Sequence, residues 1–139
     1  MAGYSGTPLA RKLGIARGTA VTLIDPPGDY RKLLGPEGRS AIFSTAIVNG
    51  VGFVHLFVTE RKKLEQKLQQ LRGKLADAGT VWVSWPKKSS GVATGVTEDV
   101  IRAVALPLGF VDVKVCAVDD TWSGLKLMIR RENRKGVER

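Results

Sequence analysis

Cysteine and histidine are each present only once in the 139 residues. A single thiol cannot close an intramolecular disulfide, and Cys116 lies in an apolar alternation that predicts a buried side chain. With Cys116 and His55 alone, zinc sites of the usual Cys/His type are excluded by count. No apolar run approaches the roughly 18 residues needed to span a bilayer. The opening MAGYSGTPLARKLG has no basic start leading into an apolar segment, so no secretory signal is expected and a cytoplasmic location fits. GxSxG elbows and P-loops are missing too, which leaves serine hydrolase and P-loop NTPase readings without support. Internal repeats and low-complexity segments are absent. The length fits a single domain over residues 1–139, large enough to bury one core without staples.

What the chain has in excess is positive charge. Lys and Arg total 22 against 13 Asp and Glu, for a net charge of +9. Such a field attracts nucleic acid, nucleotides or acidic partners. No RNA- or DNA-binding motif accompanies it, so nucleic acid is a possible partner without motif support. Residues 131–139 read as a flexible basic tail. A second group, Arg61, Lys62, Lys63, Lys67, Arg72 and Lys74, lies on one helix, mostly away from its apolar stripe.

Hydrophobic periodicity orders the rest. Thr7-Pro8 reads as an N-cap with proline at the first helical position, opening a short helix that Gly14 stops. VTLID (Val21 to Asp25) reads as a buried strand, closed by Pro26-Pro27-Gly28. Asp29 stands where a cap is expected for a short helix, YRKLL, which Gly35 and Pro36 end. Strand character follows in AIFSTAIV (Ala41 to Val48) and FVHLFV (Phe53 to Val58). Leu64, Leu68, Leu71 and Leu75 form one stripe at period 3.6, predicting a helix from Thr59 or Glu60 to about Ala78, with Gly79 as its stop. VWVSW is the next strand. A helix then begins at Thr97, with Glu98 and Asp99 where the N-terminal dipole favours acids. VKVCAV and LKLMIR are six residues apart and predict an antiparallel hairpin.

Continuous apolar strands alternating with amphipathic helices predict an α/β fold: a three-layer Rossmann-like domain, its sheet mostly parallel and ending in that hairpin. Over residues 20–130 this order resembles a truncated class I methyltransferase. The connection from Val48 to Phe53 is too short for a helical crossover, so this part should be truncated or locally antiparallel. The family's glycine-rich turn after the first strand is replaced by IDPPGDY, whose prolines stiffen the loop and remove donors. An acid at the end of the second strand, expected to hold ribose hydroxyls, has no clear match. No cofactor is therefore expected. Asp25-Pro26-Pro27 also resembles the start of the Asp-Pro-Pro-aromatic tetrad of amino-methyltransferases. Tyr30 comes two residues late for it and the strand is the wrong one, so a stiff turn is expected.

Open α/β sheets bind ligands outside the carboxyl ends of their strands. Those ends carry Asp25, then Thr59 and Glu60, then Ser84-Trp85-Pro86-Lys87-Lys88-Ser89-Ser90, and Trp122-Ser123 near the hairpin turn. One reading has Ser84, Trp85, Lys87, Lys88, Ser89 and Ser90 binding an anion, with Asp25, Thr59, Glu60, Trp122 and Ser123 lining the edge. The plainer reading has Trp82 and Trp85 filling opposite sheet faces while the lysines begin a solvated loop. His55, inside an oily strand, is expected to be a buried, hydrogen-bonded neutral imidazole, and no metal site is expected.

GYSGTPLARKLGI (Gly3 to Ile15), VWVSWPK (Val81 to Lys87) and TWSGLKL (Thr121 to Leu127) together resemble the small bacterial domain-of-unknown-function family 3052. The resemblance spans nearly the whole chain and implies a fold but no catalytic residue. Three functions stay open. The first is a non-catalytic module binding an anionic small molecule or acidic protein. The second is a degenerate or atypical methyltransferase-like enzyme. The third is a homodimer formed through an exposed edge or Trp122. No membrane partner is expected.

Overall fold

A computed structural model describes residues 7–135. The first helix, α1 (Leu9–Leu13), begins after Pro8, one residue later than the expected cap at Thr7, and ends at Gly14 with φ 87°. Strand β1 (Ala20–Ile24) leads through the proline turn to α2 (Tyr30–Leu34). Strands β2 (Ile42–Ser44) and β3 (Val51–Phe57) precede the long helix α3 (Arg61–Lys74). Then come β4 (Leu75–Pro86), α4 (Glu98–Ala105), β5 (Phe110–Ala117) and β6 (Trp122–Ile129). As expected, Thr97 caps α4, its Oγ1 accepting from Val100 N at 3.2 Å.

The sheet runs β2-β1-β3-β4-β6-β5. Strands β1 to β4 pair in parallel, and β6 inserts antiparallel between β4 and β5. This is the expected three-layer Rossmann-like architecture with an antiparallel C-terminal pair. The short connection is explained by truncation. Strand β2 is parallel to β1 over three residues only, not the eight expected. A return from its end needs about 10 Å along the strand and about 10 Å sideways past β1. Residues 45–50 can reach roughly 20 Å, so no helix is required.

One boundary differs from the periodicity. Helix α3 stops at Lys74, not near Ala78, and Leu75 is already extended, with φ −66° and ψ 136°. The Lys74 carbonyl, which a continuing helix would offer to residue 78, instead accepts from Gly50 N at 2.8 Å. Leu75 pairs with Val51 and the ladder resumes at Phe53 with Thr80, so residues 76–79 bulge out. Gly79 is required there, since a Cβ would lie 2.7 Å from the Leu75 side chain. Leu75 still joins Leu64, Leu68 and Leu71 in the core. The stripe correctly marks burial but not conformation.

Two cores flank the sheet. Leu64, Leu68 and Leu71 of α3 and Ile101 of α4 pack with Leu56, Val83 and Trp85 on one face. Leu9 and Leu13 of α1 and Tyr30 and Leu34 of α2 pack with Phe53, Phe57 and Trp82 on the other. Trp82 and Trp85 thus fill opposite faces. Residues 131–133 form a single 3-10 turn, and Lys135 N donates to Asp77 at 3.0 Å. The start of the expected flexible tail therefore lies on the domain, while residues 136–139 fall outside the described range, as do Gly3 to Gly6 of the N-terminal motif.

Candidate functional site

The chain leaves β1 for α2 on one face of the sheet and leaves β3 for α3 on the other. The crevice outside the carboxyl ends of β1 and β3 is therefore the switch point where ligands of open α/β sheets bind. A cleft of about 280 Å³ opens there, lined by Asp25, Phe57, Val58, Thr59, Glu60, Lys63 and Trp122. Larger hollows lie between α3 and α4 (about 480 Å³) and beside Pro26-Pro27 and α2 (about 590 Å³). The switch-point cleft is preferred because acid, base, hydroxyl and aromatic groups from three separate elements converge in it.

Each wall has a local cause. Asp25 is the one non-glycine residue with positive φ among those described, at 53°, directly before a proline. This left-handed turn swings its carboxylate toward α3, where Oδ2 meets Lys63 Nζ at 2.5 Å. The Asp25 carboxylate, as hydrogen-bond partner and as opposite charge, raises the Lys63 pKa. Both side chains are about half exposed, so the pair closes the crevice loosely. Trp122 is held by a tight turn in which Asp119 Oδ1 accepts from Thr121 N (2.8 Å) and Trp122 N (2.7 Å). Its ring stands edge-on to Phe57, with centroids 5.0 Å apart. Thr59 is anchored by its carbonyl, which accepts from Gly95 N (3.0 Å) and Thr94 Oγ1 (2.8 Å).

Four of the five expected edge-lining residues, Asp25, Thr59, Glu60 and Trp122, therefore meet in one cleft. Ser123 is half-buried in the β4–β6 ladder opposite Trp85. The expected anion-binding run is dispersed. Ser84 is fully buried and Trp85 belongs to the α3-side core. Lys87 N donates to Thr121 O at 2.7 Å, and the Ser90 hydroxyl donates to the Lys87 carbonyl at 2.6 Å while accepting from Val92 N. Lys88 and Ser89 are exposed. The loop after β4 folds across the end of β3 toward Thr59, which leaves the lysines outside the crevice.

Sequence reading missed Lys63 and Phe57. The available signal for Lys63 was its place in the first turn of the helix that follows Thr59-Glu60. It also missed a buried chain of hydroxyls around His55. Tyr30 Oη lies 2.8 Å from His55 Nδ1, and Ser84 Oγ lies 2.7 Å from Nε2. Phe57 stacks on the imidazole at 4.3 Å. His55 is wholly buried, and loss of hydration lowers its pKa to about 3, so it is neutral at pH 7. Burial likewise raises the Tyr30 pKa above its usual value. This Ser-His-Tyr chain resembles a nucleophile and its base, but Ser84 has no exposed surface for a substrate. It ties the first residue of α2, and with it the proline turn, to β3 and β4.

Adenosylmethionine does not fit these residues in the manner of the fold family. The β1 turn offers Pro26 and Pro27, which have no N–H, after a left-handed Asp25. The residues at and after the end of β2, Ser44-Thr45-Ala46, include no carboxylate for a ribose. Among the described residues no three His, Cys, Asp or Glu side chains gather as a metal site, and no helix is long and apolar enough to cross a membrane.

No family profile matches the chain, and no curated protein does. Solved structures do. A candidate type 11 methyltransferase from Sulfolobus solfataricus superposes with a TM-score of 0.63 at 16% identity, covering 94% of this chain and 93% of that one. Aeropyrum pernix fibrillarin, with natively bound S-adenosyl-L-methionine, gives 0.53 at 14% identity, covering 91% and 70%. The Methanococcus jannaschii fibrillarin pre-rRNA processing protein gives 0.51 at 13%, covering 89% and 70%. The chain has a methyltransferase-like Rossmann fold. At these identities the likeness carries the fold alone.

Proposed function

We propose that the chain is a non-catalytic Rossmann-like module that holds a small anionic ligand of nucleotide type at the carboxyl edge of its sheet. The observation that supports this reading is the mixed lining of the switch-point cleft. Trp122 offers a ring for a base, Glu60 and Thr59 offer partners for hydroxyls, and Lys63 offers a cation for a phosphate. At about 280 Å³ the cleft suits a mononucleotide rather than a dinucleotide. Membership of family 3052 belongs to the same proposal. Its three motifs fall on α1, β4 and β6, which join through the Trp82 Nε1 bond to the Leu13 carbonyl (2.8 Å) and the β4–β6 ladder.

Titration with AMP, ATP, inorganic polyphosphate and adenosylmethionine tests the reading by thermal shift and tryptophan emission. A ligand at about 100 times its Kd adds roughly 2.7 kcal/mol to the native state and raises Tm. AMP or ATP is expected to raise Tm and to quench emission, with the quenching lost in Trp122→Phe and the Tm rise reduced in Lys63→Ala. Stabilisation by adenosylmethionine would instead support a methyltransferase-like enzyme and overturn the proposal. So would a nucleotide response that survives both substitutions.

A further inference from the structure

Strand β6 has two unlike faces. Leu125, Leu127 and Ile129 are buried in the core that α3 and α4 cover, while Lys126 and Met128 point to the opposite side and stay half-buried. On that side the core built by α1 and α2 takes in Trp82 of β4, Trp122 of β6 and Cys116 of β5, but neither Met128 nor Val111 of β5. The ladder sets Trp82, Lys126 and Lys114 directly abreast on β4, β6 and β5, with Thr80, Met128 and Val111 abreast in the next row of the same face. Lys114 is exposed and leans back along its row, its Nζ 5.9 Å from the centroid of the Trp82 ring. The two lysines are therefore neighbours on one bare face. Among the described residues no carboxylate forms an ion pair with either. Asp112, the one acid of β5, stands opposite Leu127 and is bonded to Arg102 of α4 at 2.9 Å, on the other face. Like charges set directly opposite in a ladder weaken a sheet, so the fold itself gives no reason for this pair.

We propose that this bare face of β6 and β5 docks an acidic protein segment, whose carboxylates meet Lys114 and Lys126 and whose apolar side chains rest on Met128 and Val111. Two adjacent ammoniums without acids of their own supply the charge complementarity. Met128 supplies an adaptable apolar contact. A small anion is a poorer occupant, since a sheet face encloses nothing. Single-stranded nucleic acid is poorer as well, because Trp82, the one aromatic ring in these rows, is wholly buried and offers no stacking surface. A second copy of the chain would bring the same lysines together across a two-fold axis, and like charges across an interface oppose association. Lys126 lies four residues along β6 from Trp122, about 13 Å. This surface is therefore separate from the switch-point cleft and does not depend on the nucleotide reading.

Amide chemical-shift mapping of the isotope-labelled chain tests the proposal, with a soluble peptide of glutamate and leucine and a second peptide carrying glutamine for glutamate. The first should shift residues 111–116 and 126–128, and the second should not. Fluorescence anisotropy of the labelled acidic peptide then gives the affinity. Lys114→Gln with Lys126→Gln should weaken it at least ten-fold, whereas Lys62→Gln with Lys67→Gln, on α3, should bind as wild type. Lys126→Glu separates docking from stability. It sets an acid opposite Lys114, so it should raise Tm while abolishing binding. A fall in Tm with this variant would assign the lysine pair to the fold and overturn the proposal. Equal loss in the two double variants would reduce the effect to net charge and overturn it too. So would an absence of peptide binding at low salt. Tighter binding of a single-stranded RNA of equal charge at the same amides would reassign the face to nucleic acid.

Discussion

Acidification from pH 6.5 to about pH 4.5 asks His55 to take up a proton inside the sheet. In the folded chain burial lowers its pKa to about 3, against an ordinary value of 6.5. Between those values the unfolded chain binds the proton more readily, so unfolding takes up a proton and stability falls as the pH falls. The contribution is complete above about pH 6.5 and is lost progressively toward pH 3. The slope is half its full value at pH 6.5 and approaches it below, so the two units remove roughly 2 kcal/mol. That is a large share of the roughly 5–15 kcal/mol that holds a domain of this size. The geometry supplies the reason. A neutral imidazole donates from one ring nitrogen and accepts at the other, which suits one hydroxyl on each side. An imidazolium donates from both and would force a hydroxyl to turn away from it.

Urea unfolding of wild type and His55→Gln at both pH values measures the effect. The substitution itself should destabilise at pH 6.5, because it disturbs two buried hydrogen bonds. Its pH dependence should be shallower than that of wild type by roughly 2 kcal/mol across the interval, carboxylate titrations being common to both chains. Should the variant fail to fold, the imidazole resonances of wild type serve instead, and they should stay in the neutral form down to about pH 4.5. Equal pH dependence in the two chains, or an imidazole that titrates near pH 6.5, would refute the buried neutral relay.

Three further outcomes follow from local geometry. Gly79→Ala places a methyl 2.7 Å from the Leu75 side chain and 3.0 Å from the Ala76 carbonyl, and should cost about 1–3 kcal/mol in urea unfolding. Asp25→Gly removes a side chain from left-handed backbone and should melt at or above wild type, whereas Asp25→Ala should lose about 1 kcal/mol. Paired replacement of Lys87 and Lys88 by Ala should leave the melting temperature of the unliganded protein nearly unchanged, because neither ammonium is placed in the core.

Much of the fold was legible because burial leaves a periodic trace. Leu64, Leu68 and Leu71 announce α3, and the apolar runs of β1, β3 and β4 announce a sheet covered on both faces. Leu75 shows where that trace fails. It satisfies the helical period and is buried, yet it lies in a strand, because a distant partner intervenes: Gly50 N captures the Lys74 carbonyl. A hydrogen bond between residues 24 positions apart leaves no mark in local spacing. The same holds for β2, whose eight apolar-leaning residues yield only three in the ladder.

The site was legible at the level of sheet edges and illegible at the level of side-chain direction. Strand ends can be read along the chain, so Asp25, Thr59, Glu60 and Trp122 could be named together before any geometry existed. Which of two neighbouring residues faces solvent depends on register across strands. Ser84 and Lys87 are three apart in sequence; one bonds His55 inside the sheet and the other begins a surface loop. The switch point itself depends on strand order, since it exists only because α2 and α3 cross opposite faces. Once that order is known, the weight moves from the lysine pair after β4 to Lys63, which reaches across the crevice to a strained Asp25. A ligand phosphate entering there would compete with the Asp25 carboxylate for the same ammonium. Affinity for anions should therefore rise when Asp25 is replaced by Asn, a change that nothing in the loop after β4 would produce.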